Sequence, residues 1–267
     1  MSQRQTMLLG VLAAAWLAAT PARAGGPLES LPDAVARVRR AVGAVGVYNP
    51  AAKPPLTYSA SGFFVRADGY FLTADHVLEG IAEHRRLEDL RVYVAGLTER
   101  TGRKAAVVAR EAKYDMALLK VQGEGYPTLE LGRSEEVREG QAVALCGYPL
   151  ATSLGLHPST SAGIISSIVP RADPAVNTRF LDSATIQALR DNYVIFQLDV
   201  TAYPGHSGGP LFDPRTGRVL GMVDSAFIKK TKEKVFASGI SYAIPIRFAR
   251  QLLERALEKQ AGGEEAP

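Results

Sequence analysis

The chain contains a single cysteine, Cys146, so no disulfide can form within it. One cysteine and four histidines also leave no Cys/His cluster with metal-ligand spacing. Aromatic residues make up only 7% of the chain and are not interleaved with basic ones, as a single-strand nucleic-acid groove would require. Neither sign of charge dominates. There are 31 basic and 27 acidic residues, and a net +4 invites no nucleic-acid partner. No glycine-rich phosphate loop is present. No apolar run approaches the roughly 20 residues of a membrane span. No metal and no cofactor are expected. What remains is a chain of 267 residues, 46% hydrophobic, with 25 glycines and 16 prolines. Its mean hydropathy is −0.01. Such a chain can bury its own core and is rich in turns.

Residues 1–24 read as an export signal rather than as structure. Arg4 supplies a positive start, Met7 to Ala19 is the apolar run, and Thr20-Pro21 breaks it. Ala22-Arg23-Ala24 is an A-x-A cleavage site, so the protein is expected in the periplasm or outside the cell, with no membrane span after cleavage near Ala24. Residues 25–32 read as a flexible leader. Cys146 lies in the apolar run Val143-Ala144-Leu145-Cys146 and reads as a buried, inert thiol.

Ala34, Val35, Val38, Ala41 and Val42 share one face of a short helix that starts at Asp33. Beyond it the pattern becomes short apolar runs divided by glycine, proline and charge. Strands are expected at 44–48, 58–65, 70–73, 90–95, 104–109, 116–121, 142–146, 162–169, 194–200, 218–224 and 235–243. Asp68-Gly69 is a hairpin signal, and Thr216-Gly217 is a weaker one. A short helix is expected within 181–190. Phe248, Ala249, Leu252, Leu253, Ala256 and Leu257 form the stripe of a C-terminal helix over 246–260, opened by Pro245 and followed by a tail over 262–267. The fold class is all-β. Eleven strands and a helix fit two packed antiparallel barrels, divided at about 145/146, better than one sandwich.

Three segments carry chemistry. Pro204-Gly205-His206-Ser207-Gly208-Gly209-Pro210 surrounds a serine with glycines. A serine hydroxyl needs a base to take its proton, and the oxyanion it creates needs N–H donors already in place. Glycines permit a turn that exposes the hydroxyl, with the N–H groups of Gly205 and Ser207 as donors. Thr73-Ala74-Asp75-His76-Val77 offers the base. Of the four histidines, only His76 combines a strand end with small, packable neighbours; His84 sits among charges, His157 precedes a proline, and His206 is too close to the serine to reach it. Tyr114-Asp115-Met116-Ala117 places an acid directly before an apolar strand, where it can orient an imidazole. Asp75 is a rival for that role, ranked lower because adjacent side chains in extended chain point apart.

His76, Asp115 and Ser207 stand in the chymotrypsin order. The sequence resembles a trypsin-like serine protease of the bacterial HtrA (Deg) type over about residues 35–260. Ser61-Gly62-Phe63-Phe64-Val65 through His76 resembles the family's histidine segment, and Asp115-Met116-Ala117-Leu118-Leu119 its aspartate segment. Leu131-Gly132-Arg133-Ser134, Gly163-Ile164-Ile165-Ser166, Gln197-Leu198-Asp199-Val200 and Gly239-Ile240-Ser241-Tyr242-Ala243-Ile244-Pro245 follow in register. The resemblance implies two six-stranded barrels, an endopeptidase of envelope or extracellular proteins that works through an acyl-enzyme, and a homo-trimer. It implies a substrate strand along Ser225, Ala226 and Phe227, and a side-chain pocket between Thr201 and Ile240. With no acid at Thr201, the pocket is expected to take small or medium aliphatic residues rather than Lys or Arg.

The chain also departs from the pattern. No PDZ domain is expected after the protease segment. His206 stands where zymogens have an aspartate. Asp224 falls where the family places a small hydroxyl residue beside the catalytic aspartate, with Ser225 as the alternative register. A second reading is a protease-fold binding or chaperone-like protein with a resting oxyanion hole. The charge run Lys229-Lys230-Thr231-Lys232-Glu233-Lys234 reads as a solvated hairpin.

Overall fold

The computed structural model describes residues 30–53, 55–82, 87–98, 102–151, 155–171, 193–224 and 240–263. The export signal, the helix expected within 181–190 and the lysine-rich run lie outside the described residues.

Helix α1 (Leu31–Ala41) opens the described chain. The Ser30 hydroxyl accepts the Asp33 N–H, and Pro32 sits in the first turn, where its missing N–H costs nothing. The helix therefore begins two residues inside the expected leader. Ala34, Val38 and Ala41 are its buried face.

Six strands follow: β1 (Val42–Tyr48), β2 (Leu56–Phe64), β3 (Tyr70–Thr73), β4 (Leu90–Tyr93), β5 (Arg103–Glu111) and β6 (Met116–Val121). They close into a barrel in the order β1-β2-β3-β6-β5-β4. Helix α2 (Asp75–Ala82) leaves from the end of β3. The second barrel holds β7 (Ala142–Gly147), β8 (Ser159–Pro170), β9 (Val194–Asp199), β10 (Pro210–Phe212), β11 (Val219–Asp224) and β12 (Ile240–Pro245). It closes in the order β10-β11-β12-β9-β8-β7. Helix α3 (Arg247–Ala261) ends the described chain. The all-β expectation of two antiparallel six-stranded barrels thus holds. The division at 145/146 does not: it cuts β7, which lies whole in the second barrel, so the boundary falls in the 122–141 connection.

Strand β10 is missing from the expected strands, since three residues between Gly209 and Asp213 are too few to show a period of two, but the Thr216-Gly217 hairpin signal does join it to β11. Pro245 closes β12 instead of opening α3. The Asp68-Gly69 hairpin joins β2 to β3, with Gly69 at φ +98° where a Cβ would meet the Val121 carbonyl at 2.4 Å.

The alternation along β7 shows how the barrels meet. Val143 and Leu145 pack inside the second barrel. Ala144 and Cys146 face the larger cluster, which joins the first barrel to α1 and α3. A strand buried on both faces reads as an unbroken apolar run, as this one does. Burial pushes the Cys146 thiol up to about 11, which makes it the inert group expected.

Candidate active site

Strand pairing brings the base to the acid. Thr73 at the end of β3 pairs with Ala117 on β6. His76 follows Thr73 by three residues and Asp115 precedes Ala117 by two, so both leave the barrel at one point. A tight turn over Ala112–Tyr114 ends on Asp115, which adopts the left-handed conformation at φ 49°, ψ 48°. Aspartate tolerates that region better than most residues. The turn aims both carboxylate oxygens at one residue. Oδ1 accepts the His76 backbone N–H at 2.7 Å, and Oδ2 lies 2.7 Å from His76 Nδ1. The Asp75 N–H donates to the Asp115 carbonyl at 3.2 Å. Asp75 itself points elsewhere: its carboxylate takes a two-point contact from Arg110, at 2.5 and 3.0 Å. The choice of Asp115 over Asp75 follows from this.

Ser207 comes from the second barrel and is buried with its loop. The loop is clamped to β2 of the first barrel. The Ser61 N–H donates to the Ser207 carbonyl at 2.9 Å. The Ser61 hydroxyl donates to the Gly205 carbonyl at 2.5 Å and accepts the Tyr148 N–H at 2.8 Å. Gly208, at φ +82°, lies so close to β2 that a Cβ would meet the Ser61 carbonyl at 2.3 Å.

The loop's carbonyls define where its N–H groups point. The Pro204 carbonyl accepts the Leu150 N–H at 3.0 Å, and the His206 carbonyl accepts the Gly209 N–H at 2.9 Å. In a planar trans peptide the N–H points opposite the carbonyl. The N–H groups of Gly205 and Ser207 are therefore turned away from those anchors. Gly205 holds φ +102°, a region that favours glycine.

His206 was missed as a contributor by the sequence. It is 0% exposed and closes the same loop from within. Its Nδ1 accepts the Tyr203 N–H at 2.9 Å, and its Nε2 lies 3.3 Å from the Ser159 hydroxyl. Its own N–H donates to the Tyr203 carbonyl at 2.9 Å. Nδ1 must be unprotonated to accept, so the imidazole is neutral with its proton on Nε2. Burial pushes its pKa down to about 4.

Of the expected pocket residues, Thr201 is half-buried just beyond β9. Its neighbour Ala202 donates its N–H to the Ser241 hydroxyl at 2.7 Å. Ile240 pairs with Asp199 across β9 and β12, so the two sides of the expected pocket are adjacent strands. Ser225, Ala226 and Phe227 lie outside the described residues. A separate groove includes none of these residues; on its wall Arg133 pairs with Glu136 and Arg218 with Glu130.

Asp224 at the end of β11 also reaches the site. Ligand atoms of His76, Asp115 and Asp224 all lie within 4.8 Å of one another. The imidazole nitrogen Nδ1 is already committed to Asp115, and the Arg171 guanidinium interacts with both carboxylates. That arrangement is a compensated charge cluster, and we assign it no cation.

The trypsin-like peptidase domain model matches residues 60–222. A probable periplasmic serine endoprotease, DegP-like, from Ectopseudomonas mendocina (strain ymp) is 36% identical over 196 residues, covering 73% of this chain and 34% of its own length. The protein of the same description from Halomonas elongata matches at 36% over the same length and coverage. The chain thus spans about a third of these relatives. Two solved structures share the architecture. The HtrA-type protease AlgW with a decapeptide aligns at TM-score 0.62 and 25% identity, over 86% of this chain and 68% of its own. AlgW with a tripeptide aligns at TM-score 0.60 and 26% identity, over 87% and 65%. With a family model that spans the histidine, the aspartate and the serine loop of two closed barrels, the chain belongs to the trypsin-like peptidase domain family.

Proposed function

We propose that this chain is a serine endopeptidase that cleaves proteins or peptides in the periplasm or outside the cell. The observation that carries the reading is the pairing of His76 Nδ1 with Asp115 at 2.7 Å, beside a serine loop packed so close to the segment before His76 that a Cβ on Gly208 would meet the Ala74 backbone nitrogen at 2.8 Å. His76 is the general base and then the general acid. Asp115 holds its tautomer and stabilises the imidazolium. Ser207 attacks the scissile carbonyl and forms the acyl-enzyme. The N–H groups of Gly205 and Ser207, turned away from their anchored carbonyls, receive the oxyanion. Water then hydrolyses the ester, with His76 again taking the proton.

The relatives named periplasmic support export, as does the A-x-A site at Ala22-Arg23-Ala24. Among the described residues no helix is long and apolar enough to cross a membrane. The experiment is casein cleavage and fluorophosphonate labelling of wild type and Ser207→Ala. Both signals should vanish in the variant, with turnover down by about three or more orders of magnitude and the melting temperature kept. Cleavage that survives in Ser207→Ala would refute the mechanism. A folded wild type that neither cleaves nor labels would favour a binding role.

A further inference from the structure

We propose that Asp224 is a positioning residue for the base of this reaction. It is a second carboxylate held against the His76–Asp115 pair and counterbalanced by Arg171, and it raises the readiness of the imidazole to take the serine proton. The inference rests on the peptidase reading above.

A bulge in β11 sends Asp224 to this place. Leu211 pairs with Gly221 and Phe212 with Val219, so one residue of β11 is left over between them. Beyond the bulge, Val223 enters the interior of the second barrel while Met222 faces the cluster between the barrels. Asp224 shares the face of Met222 and meets the two residues that leave the first barrel. It is 7% exposed and Asp115 is 8% exposed. Two carboxylates within 4.8 Å of each other and away from water repel strongly unless positive charge sits with them.

Two groups can supply that charge. One is the His76 imidazole when protonated. The other is Arg171, at the end of β8. Its N–H donates to the Tyr193 carbonyl at 2.8 Å, and its guanidinium donates to the Tyr193 hydroxyl. Burial works against its charge, but Tyr193, Asp224 and Asp115 together hold its pKa above the ordinary value. Tyr193 meets Tyr114 edge-on at 4.9 Å, and Tyr114 stacks on Phe248 of α3 at 3.8 Å. Tyr114 is the residue before Asp115. One aromatic cluster therefore locates both the acid and its counter-charge.

Asp75 on α2 is committed to Arg110 on β5, which also meets Glu79 at 3.5 Å. Tyr242 on β12 lies opposite Asp224 in the sheet. The chemistry of the substitution is specific. A small hydroxyl at this point could donate a hydrogen bond to Asp115. A carboxylate only accepts, so its contribution is negative charge, and that charge favours the imidazolium.

The test is the titration of His76, followed by 15N-histidine NMR of the full chain in the Ser207→Ala background, which does not depend on turnover. Asp224→Asn should lower the His76 midpoint by about one pH unit or more, and Arg171→Gln should raise it by a similar amount. Asp224→Ser serves as a second variant and should follow Asp224→Asn. In the active enzyme the acid limb of kcat/KM should move in the same directions. A His76 midpoint unchanged in the Asp224 and Arg171 variants would overturn the proposal. A wild type without turnover would refute the peptidase reading and leave the titration to decide Asp224.

Discussion

His206 makes the stability of this protein depend on acid in a way that one substitution can isolate. The imidazole is fully buried and neutral, and its pKa falls from 6.5 to about 4 because burial disfavours the charged form. In the unfolded chain the same side chain titrates at its ordinary value. As pH falls through 6.5 the unfolded state takes a proton that the folded state refuses, so stability present above that pH is lost progressively down to about pH 4. A span of two and a half units at about 1.4 kcal/mol per unit gives a loss of roughly 3 kcal/mol. Protonation of Nδ1 also breaks its contact with the Tyr203 N–H, and so loosens the turn that carries Gly205. His206→Asn keeps an acceptor near that position and cannot take the proton. Urea unfolding followed by far-UV circular dichroism, in the Ser207→Ala background to prevent self-cleavage, should be run from pH 7 to pH 4. The histidine protein should lose about 3 kcal/mol more over that range than the asparagine protein. Parallel losses in the two proteins would refute the reasoning.

Three further outcomes follow from the geometry. Gly208→Ala should destabilise the protein by about 2 kcal/mol or more and abolish fluorophosphonate labelling, because its Cβ would sit 2.3 Å from the Ser61 carbonyl at φ +82°; a variant with normal melting and labelling would contradict that contact. Ser61→Ala strips the Gly205 carbonyl and the Tyr148 N–H of one buried partner, so it should cost about 2 kcal/mol in chemical unfolding. It should also lower kcat more than it raises KM, because the peptide it releases adjoins an oxyanion donor. Peptide libraries should be cut after valine or alanine faster than after arginine, since the resemblance puts Thr201 rather than an acid in the expected pocket; preferential cleavage after arginine would reverse that expectation.

Much of the site was legible because its chemistry is local. The serine among glycines, the histidine just past one strand and the aspartate just before another are each short-range patterns. The strand that ends at Thr73 and the one that starts at Met116 stand out as short, nearly unbroken apolar runs. Other parts were hidden for definite reasons. Ser61 reads as one small residue in an apolar strand, and its hydroxyl finds its partners, Gly205 and Tyr148, only across the barrel boundary. His206 reads in sequence only as a neighbour of the serine, whereas both its ring nitrogens meet Tyr203 and Ser159 and it clasps the loop from behind. The barrel boundary was misplaced because β7 is apolar on both faces, so burial gave no sign of which barrel owned it.

By itself, then, the sequence indicated the all-β class and most of the strands and offered candidates for the base, acid and nucleophile, because periodicity and residue chemistry are properties of neighbours along the chain. Only the tertiary structure turns Asp75 to Arg110 and Asp115 to His76, through what the β3–β6 pairing lays beside each acid. It alone brought Asp224 to the His76–Asp115 pair, with the charge of Arg171 set against the two carboxylates. A one-residue bulge in β11 and an aromatic contact between Tyr193 and Tyr114 are long-range choices. They depend on how two barrels close, and no local pattern in the chain encodes them.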